Sequence, residues 1–250
     1  IVANVGFAGA NVFYEALLPS VAKGDDMDRV STAGYAVGYL GGGVLLALNA
    51  AWFVSPETFG FADGGEAVRA SFVSVAVWWV LFSIPLFRRV PEPPARLSPG
   101  ETAGLEPVRV GFVRVAGTLR EIRRYPDLFL FLLAFLVYND GVGTIIKMAS
   151  IYGAEIGIDR TDLIGAFLLV QFVGVPFTFA FGQAAGKLTA RNGIFVCLAG
   201  YTGISVLGFF MTEGWHFWGL ALGVAMVQGG IQALSRSLYA SMIPEGRATE

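Results

Sequence analysis

The sequence is poor in charge, cysteine and histidine, and each shortage excludes a class of protein. Charged residues make up 14% of the 250 residues, whereas a soluble domain carries about 25%. The one cysteine, Cys197, has no partner for an internal disulfide. The one histidine, His216, gives a serine hydrolase no plausible base, and no cluster of side chains has metal-ligand spacing. We therefore expect no enzyme, no metal and no cofactor.

The sequence is correspondingly rich in apolar residues. They form 55% of the chain, and the mean hydropathy is +0.63. Segments of this composition that approach 20 residues are long enough to cross a bilayer as helices. The sequence predicts an all-α, polytopic membrane helix bundle with about seven such segments, at 1–18, 32–54, 68–87, 127–152, 163–181, 194–211 and 217–243.

The positive charges predict how the bundle is oriented. Alternating loops place 14 of the 17 basic residues on one side. The other three are Arg69, Lys147 and Arg160. Because cytoplasmic loops are enriched in Lys and Arg, we expect the long polar linker 88–125 to be cytoplasmic, in a protein of the cell's inner membrane.

The second part of this linker has an amphipathic pattern. Phe112, Val115, Leu119 and Ile122 recur at helical spacing among five arginines. Such a helix lies on an anionic membrane surface, or it packs on its own protein as a solvated linker. The pattern alone leaves both interpretations open.

The segment at 127–152 carries polar groups at its middle. Asn139 and Asp140 are followed by Gly141 and Gly143. A carboxylate at bilayer depth is costly, so such a residue is a functional hypothesis by default. Because a carboxylate held at bilayer depth can take up a proton near the working pH, Asp140 is a candidate for proton coupling. The two glycines are candidate hinges.

The segment at 217–243 has a polar face. Gln228, Gln232 and Arg236 are spaced four residues apart and share one side of a helix. Arg236 lies about 12 Å from the cytoplasmic end, near the midplane of a ~30 Å core. Arg236 and Asp140 are predicted to bracket a zwitterionic or charged solute, or to pair with each other when the site is empty. The alternative is a structural ion pair that only stabilises packing.

The first segment adds two further candidates. Asn11 lies at a depth that matches Arg236, and Glu15 lies about one turn from the cytoplasmic end, where a gate or interfacial role is expected.

A short motif occurs twice in the sequence, because 14–19 and 239–244 both read Tyr-x-x-apolar-apolar-Pro. That repeat, six helices apart, is typical of a parallel duplication of six-helix units.

Several stretches together resemble a known family. The loop 182–191 is similar to the cytoplasmic loop motif of the major facilitator superfamily through Gly182, Gly186, Lys187 and Arg191. Gly186 stands where many members carry Asp, and the basic residues serve equally well as topology anchors. The chain resembles the vacuole-effluxer-like branch of that superfamily, whose fungal members are associated with amino-acid export, in the stretches 13–19, 38–43, 138–142, 149–155 and 228–237.

The resemblance implies an internal fragment that holds helices four to ten of twelve. Residues 1–87 would belong to the N-terminal half, 88–125 to the linker and 126–250 to the C-terminal half. It implies a monomeric secondary transporter that moves a small solute by alternating access, with amino acids as one candidate. The lipid bilayer and protons would be further partners, and nucleic acid would not. The alternative is a non-transporting scaffold or receptor on the same fold.

Overall fold

A computed structural model of the protein describes residues 2–22, 26–91, 107–185 and 189–243. Every regular element in these ranges is a helix, which confirms the all-α prediction. Two short 3-10 turns, Pro56–Phe59 and Ile122–Arg124, accompany the α-helices. In chain order the α-helices are α1 (Val2–Ala16), α2 (Leu18–Val21), α3 (Asp26–Val54), α4 (Gly64–Arg89), α5 (Pro107–Glu121), α6 (Pro126–Glu155), α7 (Arg160–Ala185), α8 (Ala190–Phe209) and α9 (Gly214–Met242).

Six of these helices are long and apolar enough to cross a membrane, namely α3, α4, α6, α7, α8 and α9. Seven were predicted, and the difference lies in the first segment. Its helix α1 ends at Ala16, and Pro19 sits in the first turn of the separate helix α2. Because proline lacks an N–H and its ring clashes with the preceding turn, the chain breaks before Pro19. Over its 15 residues, α1 is about 22 Å long.

Local chemistry at the helix ends explains their boundaries. The Asp63 side chain accepts a hydrogen bond of 2.8 Å from the Glu66 amide at the start of α4, an N-cap of the preferred type. Gly157 turns the chain after α6 with a φ of 83°, which glycine adopts without strain. His216 Nδ1 accepts a 3.2 Å hydrogen bond from the Glu213 amide at the start of α9. The lone histidine is therefore part of a helix cap.

The bundle is organised around α9, whose chief neighbours are α3, α7 and α8. Glycines permit these close approaches. A Cβ at Gly229 would lie 2.8 Å from Thr178 Cβ on α7, and a Cβ at Gly230 would lie 2.5 Å from Phe181 Cδ2. Because lipid offers no hydrophobic force between helices, close packing through small residues holds them together.

Helix α3 lies antiparallel to α7 along most of its length. Pairs of contacting residues keep a constant register, so the two helices stay close from one end to the other. In order along α3 the pairs are Thr32 with Gly182, Tyr39 with Gly174, Gly43 with Gln171 and Phe53 with Arg160. Helix α4 joins this unit through α3, where Ser74 Oγ donates a 3.0 Å hydrogen bond to Asn49 Oδ1.

Gly229→Ala should destabilise the bundle. The added methyl group overlaps Thr178, and overpacking of this kind costs about 1–3 kcal/mol. Gly219→Ala on the same helix is the matched control, because nothing lies within 4 Å of its new Cβ. We expect thermal unfolding in detergent to show a lower midpoint for Gly229→Ala, with Gly219→Ala unchanged or higher. Equal midpoints would contradict the packing described.

Candidate functional site

A shallow crevice between α6 and α9 contains two of the predicted site residues. Asn139 on α6 and Gln232 on α9 both line it. Tyr138 and Ser235 close one part of it, with 2.7 Å between their hydroxyl oxygens. The amide groups of Asn139 and Gln232 can both donate and accept hydrogen bonds. Polar side chains of α6 and α9 therefore lie together along this crevice.

Arg236 lies on α9 one turn beyond Gln232, but its side chain faces α3. Its Nε donates to Ser31 Oγ and its Nη2 donates to the Ser31 carbonyl oxygen, both at 3.0 Å. Ser31 Oγ in turn donates a 2.7 Å hydrogen bond to the Ala233 carbonyl oxygen. The residue is only 8% exposed, so a charged side chain is held inside the contact between α3 and α9.

Two tyrosine rings stack on the Arg236 guanidinium. Its central carbon is 4.7 Å from the ring centroid of Tyr35 and 5.4 Å from that of Tyr14. Such cation–π contacts are worth about 2 kcal/mol or more when they are desolvated. Gly34 borders these contacts, since a Cβ there would lie 3.4 Å from both Arg236 Nη2 and Tyr14 Oη. We call Tyr14, Ser31, Tyr35 and Arg236 the arginine cluster.

Glu15 borders the arginine cluster without pairing with the arginine. The Tyr35 hydroxyl donates a 3.1 Å hydrogen bond to Glu15 Oε1. Among the described residues, no carboxylate forms an ion pair with Arg236. The buried guanidinium is therefore hydrogen-bonded and stacked, and no carboxylate among the described residues makes a direct ion pair with it.

A second link joins α3 and α9 beyond the arginine cluster. The Ser237 hydroxyl donates to Asp28 Oδ1. On α3, Asp28 and Ser31 lie about one turn apart. On α9, their partners Ser237 and Arg236 are adjacent in sequence. The first turns of α3 thus form a polar contact with the last turns of α9.

The remaining predicted residues are more open. Asp140 is exposed, as is Asn11 on α1, and Gln228 is half-buried on α9. In this conformation Arg236 bonds to Ser31, so the structure does not bring Asp140 and Arg236 together as an ion pair. Gln232 and Arg236 face different neighbours, because a four-residue step turns the helix by about 40°.

The predicted hinge lies in a continuous helix. Gly141 and Gly143 are both inside α6, which runs unbroken from Pro126 to Glu155. Nothing lies within 4 Å of a Cβ added to either residue. Close packing therefore does not explain these glycines, and their role as hinges stays a prediction.

The predicted loop motif is only partly described. Gly186 and Lys187 lie outside the described residues. Gly182 is buried against Thr32 of α3, where a Cβ would overlap the threonine side chain. The guanidinium carbon of Arg191 is 5.8 Å from the ring centroid of Phe195, one turn along α8. In this structure Gly182 serves helix packing and Arg191 stacks on its own helix.

Ser31 and Tyr35 are members of the arginine cluster that were not among the predicted site residues. A signal for them exists, because Ser31, Tyr35 and Tyr39 recur every four residues along α3 and mark one polar stripe on an apolar helix. Tyr14 is the first residue of the repeat at 14–19, but nothing in that repeat predicts a contact with Arg236. Its contact with Arg236 depends on where α1 lies relative to α9.

A bundle with six helices long and apolar enough to span a membrane, and with polar side chains between them, has the architecture of an integral membrane protein. Comparison with known families agrees, because residues 1–250 match the family described as "Vacuole effluxer Atg22 like". The chain belongs to this family.

Curated relatives occur in bacteria and fungi. The chain is 37% identical over 253 residues to the "Uncharacterized MFS-type transporter YxiO" of Bacillus subtilis, covering 100% of this chain and 57% of YxiO. It is 24% identical to "Autophagy-related protein 22" of Yarrowia lipolytica, over 88% of this chain and 41% of that protein. The Saccharomyces cerevisiae protein of the same name is 22% identical, over 99% of this chain and 55% of that protein. The chain thus spans about half the length of these relatives, and no solved structure matches it.

A double-mutant cycle tests the contact between Arg236 and Ser31. Hydrogen bonds to a charged group contribute about 1.5–3 kcal/mol, so Arg236→Gln and Ser31→Ala should be non-additive by about that amount in the free energy of unfolding. Ser241→Ala is the control partner, because the Ser241 hydroxyl bonds only to the Leu238 carbonyl oxygen within α9. Additivity within about 0.5 kcal/mol for Ser31→Ala would show that the contact is energetically unimportant.

Proposed function

We propose that the full-length protein is a secondary active transporter that moves a small, carboxylate-bearing solute across a membrane by alternating access. The observation that carries this proposal is the buried Arg236 guanidinium without a carboxylate partner among the described residues. A buried charge is costly unless it is paired. A solute carboxylate is planar and matches the guanidinium fork, so it would complete the charge balance.

The crevice between α6 and α9 supports a second contact point. Gln232 and Asn139 line it, and Gln228 lies one turn from Gln232 on the same helix. We assign these amides to the polar part of the solute and Arg236 to its carboxylate. Amino acids carry both kinds of group, and they are the first solutes to test.

The geometry also suggests how access would alternate. In this conformation Tyr14 and Tyr35 cover the guanidinium, so a solute reaches it only when α3 and α9 separate. The helices before the linker (α1 to α4) and those after it (α6 to α9) would then move as two bodies. Transporters of this type rock one half against the other around a fixed site.

A solute screen separates this proposal from the scaffold or receptor alternative. Thermal unfolding of the full-length protein would be followed with amino acids, dicarboxylates, peptides and sugars. Binding to the folded state stabilises it by mass action, by about 2.7 kcal/mol at a hundred times Kd. We expect stabilisation by a carboxylate-bearing solute and its loss in Arg236→Gln. Stabilisation by none of them, together with no uptake into proteoliposomes, would favour the scaffold.

Asp140→Asn should abolish uphill uptake driven by a pH gradient in proteoliposomes and spare solute exchange. The amide cannot carry the proton, whereas exchange needs no net proton movement. Asp127→Asn is the matched control, because Asp127 lies in the first turn of the same helix. Unchanged pH-driven uptake in Asp140→Asn would remove the coupling role of this residue.

Gly141→Ala and Gly143→Ala should slow transport without lowering the unfolding temperature. Alanine stabilises the helical conformation relative to glycine by about 1 kcal/mol, so opening the helix at this point becomes less favourable. The structure has open space for either methyl group. Initial uptake rates and unfolding midpoints would be measured together, with Gly219→Ala on α9 as the control. Wild-type rates in both α6 variants would exclude the hinge.

A further inference from the structure

Helix α5 carries an apolar face that the described protein does not cover. Phe112 is 75% exposed and Val115 is 49% exposed, and Ala116 lies beside them on the same face. Among the described elements, the neighbour against which α5 packs appreciably is the 3-10 turn Ile122–Arg124 that follows it. We propose that α5 is an interfacial helix that binds anionic lipid headgroups on the membrane surface.

The length of α5 excludes a spanning role for this apolar face. Its 15 residues extend about 22 Å, whereas the hydrocarbon core is about 30 Å thick. The sequence Pro107–Glu121 also contains three arginines, each costly at bilayer depth. A short helix with one apolar face and basic flanks lies in the plane of the interface, with the apolar face towards the acyl chains.

The chain holds α5 at that surface. Only Ile122–Arg124 and Tyr125 separate the end of α5 from the first residue of α6, Pro126. The five steps from Glu121 to Pro126 reach at most about 18 Å, so the end of α5 stays close to the point where α6 enters the membrane. Tyr125 is 41% exposed at this junction, and tyrosine is enriched at membrane interfaces.

The charge of this segment selects the kind of lipid. From Pro107 to Arg124 the sequence contains five arginines and one glutamate. Arg120 and Arg124 are exposed at the end nearest the membrane entry. Each basic residue near an anionic surface strengthens binding by about fivefold. Zwitterionic headgroups offer no such attraction, so the occupant is anionic lipid.

Site-specific fluorescence in the full-length protein tests the orientation of α5. An environment-sensitive probe would be attached to Val115→Cys on the apolar face, and to Gly117→Cys, which points about 160° away. Gly117 has open space for a side chain, and Cys197 is buried, so the parent protein is the labelling control. In nanodiscs that contain phosphatidylglycerol and a nitroxide-labelled lipid, we expect quenching at position 115 to exceed that at position 117 by roughly threefold or more.

Charge variants test the lipid class. The double variant Arg120→Gln with Arg124→Gln should lower the ratio of docked to free helix by about 25-fold. Replacement of phosphatidylglycerol by phosphatidylcholine should lower the same ratio. Arg69→Gln on α4 is the control for a charge change elsewhere. Solute-dependent stabilisation does not involve α5, so failure here leaves the transport proposal standing.

Three results would overturn the inference. Equal, weak quenching at both positions would place α5 in water. An apolar environment at position 115 without quenching by the labelled lipid would show that protein covers the face. Equal quenching in neutral and anionic nanodiscs would show that the helix is interfacial but not selective for anionic lipid.

Discussion

The close approach of the α7 and α9 backbones at Gly229 and Gly230 is the constraint on which the rest of this bundle depends. Apolar side chains gain nothing by leaving lipid for each other, so helices associate where their surfaces fit tightly. Thr178 and Phe181 fill the space that the two glycines leave open. Helices α7 and α8 pack closely against α9, α3 packs against another side of it, and α6 contacts it only lightly.

The environment of Arg236 follows from that arrangement. Since α3 lies against both α7 and α9, its first turns meet the last turns of α9, and Ser31 comes within hydrogen-bond distance of the guanidinium. Two tyrosine rings replace part of its hydration. The desolvation cost of a buried cation is thereby offset by neutral groups. This contact also ties the helices before the linker to those after it.

Much of the fold could be read from the amino-acid pattern, because bilayer thickness fixes the length of a spanning helix. The six long helices overlap the predicted segments, and most begin a few residues earlier than predicted. Helix α8 ends at Phe209, two residues before the predicted end, and α9 ends at Met242, one residue before it. Asn139 of α6 and Gln232 of α9, both predicted site residues, line the same crevice. The first segment is helical as predicted, but its described helix, Val2–Ala16, has 15 residues and is not among the six of spanning length. The partners of Arg236 could not be predicted, because Ser31 is 205 residues away in sequence.

By itself, then, the sequence determined an all-α membrane bundle, the position of its spans, and the polar residues that share a helical face. These follow from hydropathy and a 3.6-residue period, which are local properties of the chain. Only the tertiary structure decided which neighbour each face meets. It turned Arg236 towards Ser31 and left Asp140 exposed, because packing between small residues selects helix neighbours without regard to charge. The 3.6-residue period of the helix determines on which face of its helix a side chain lies. The close packing of helix backbones determines which neighbouring residues that side chain contacts.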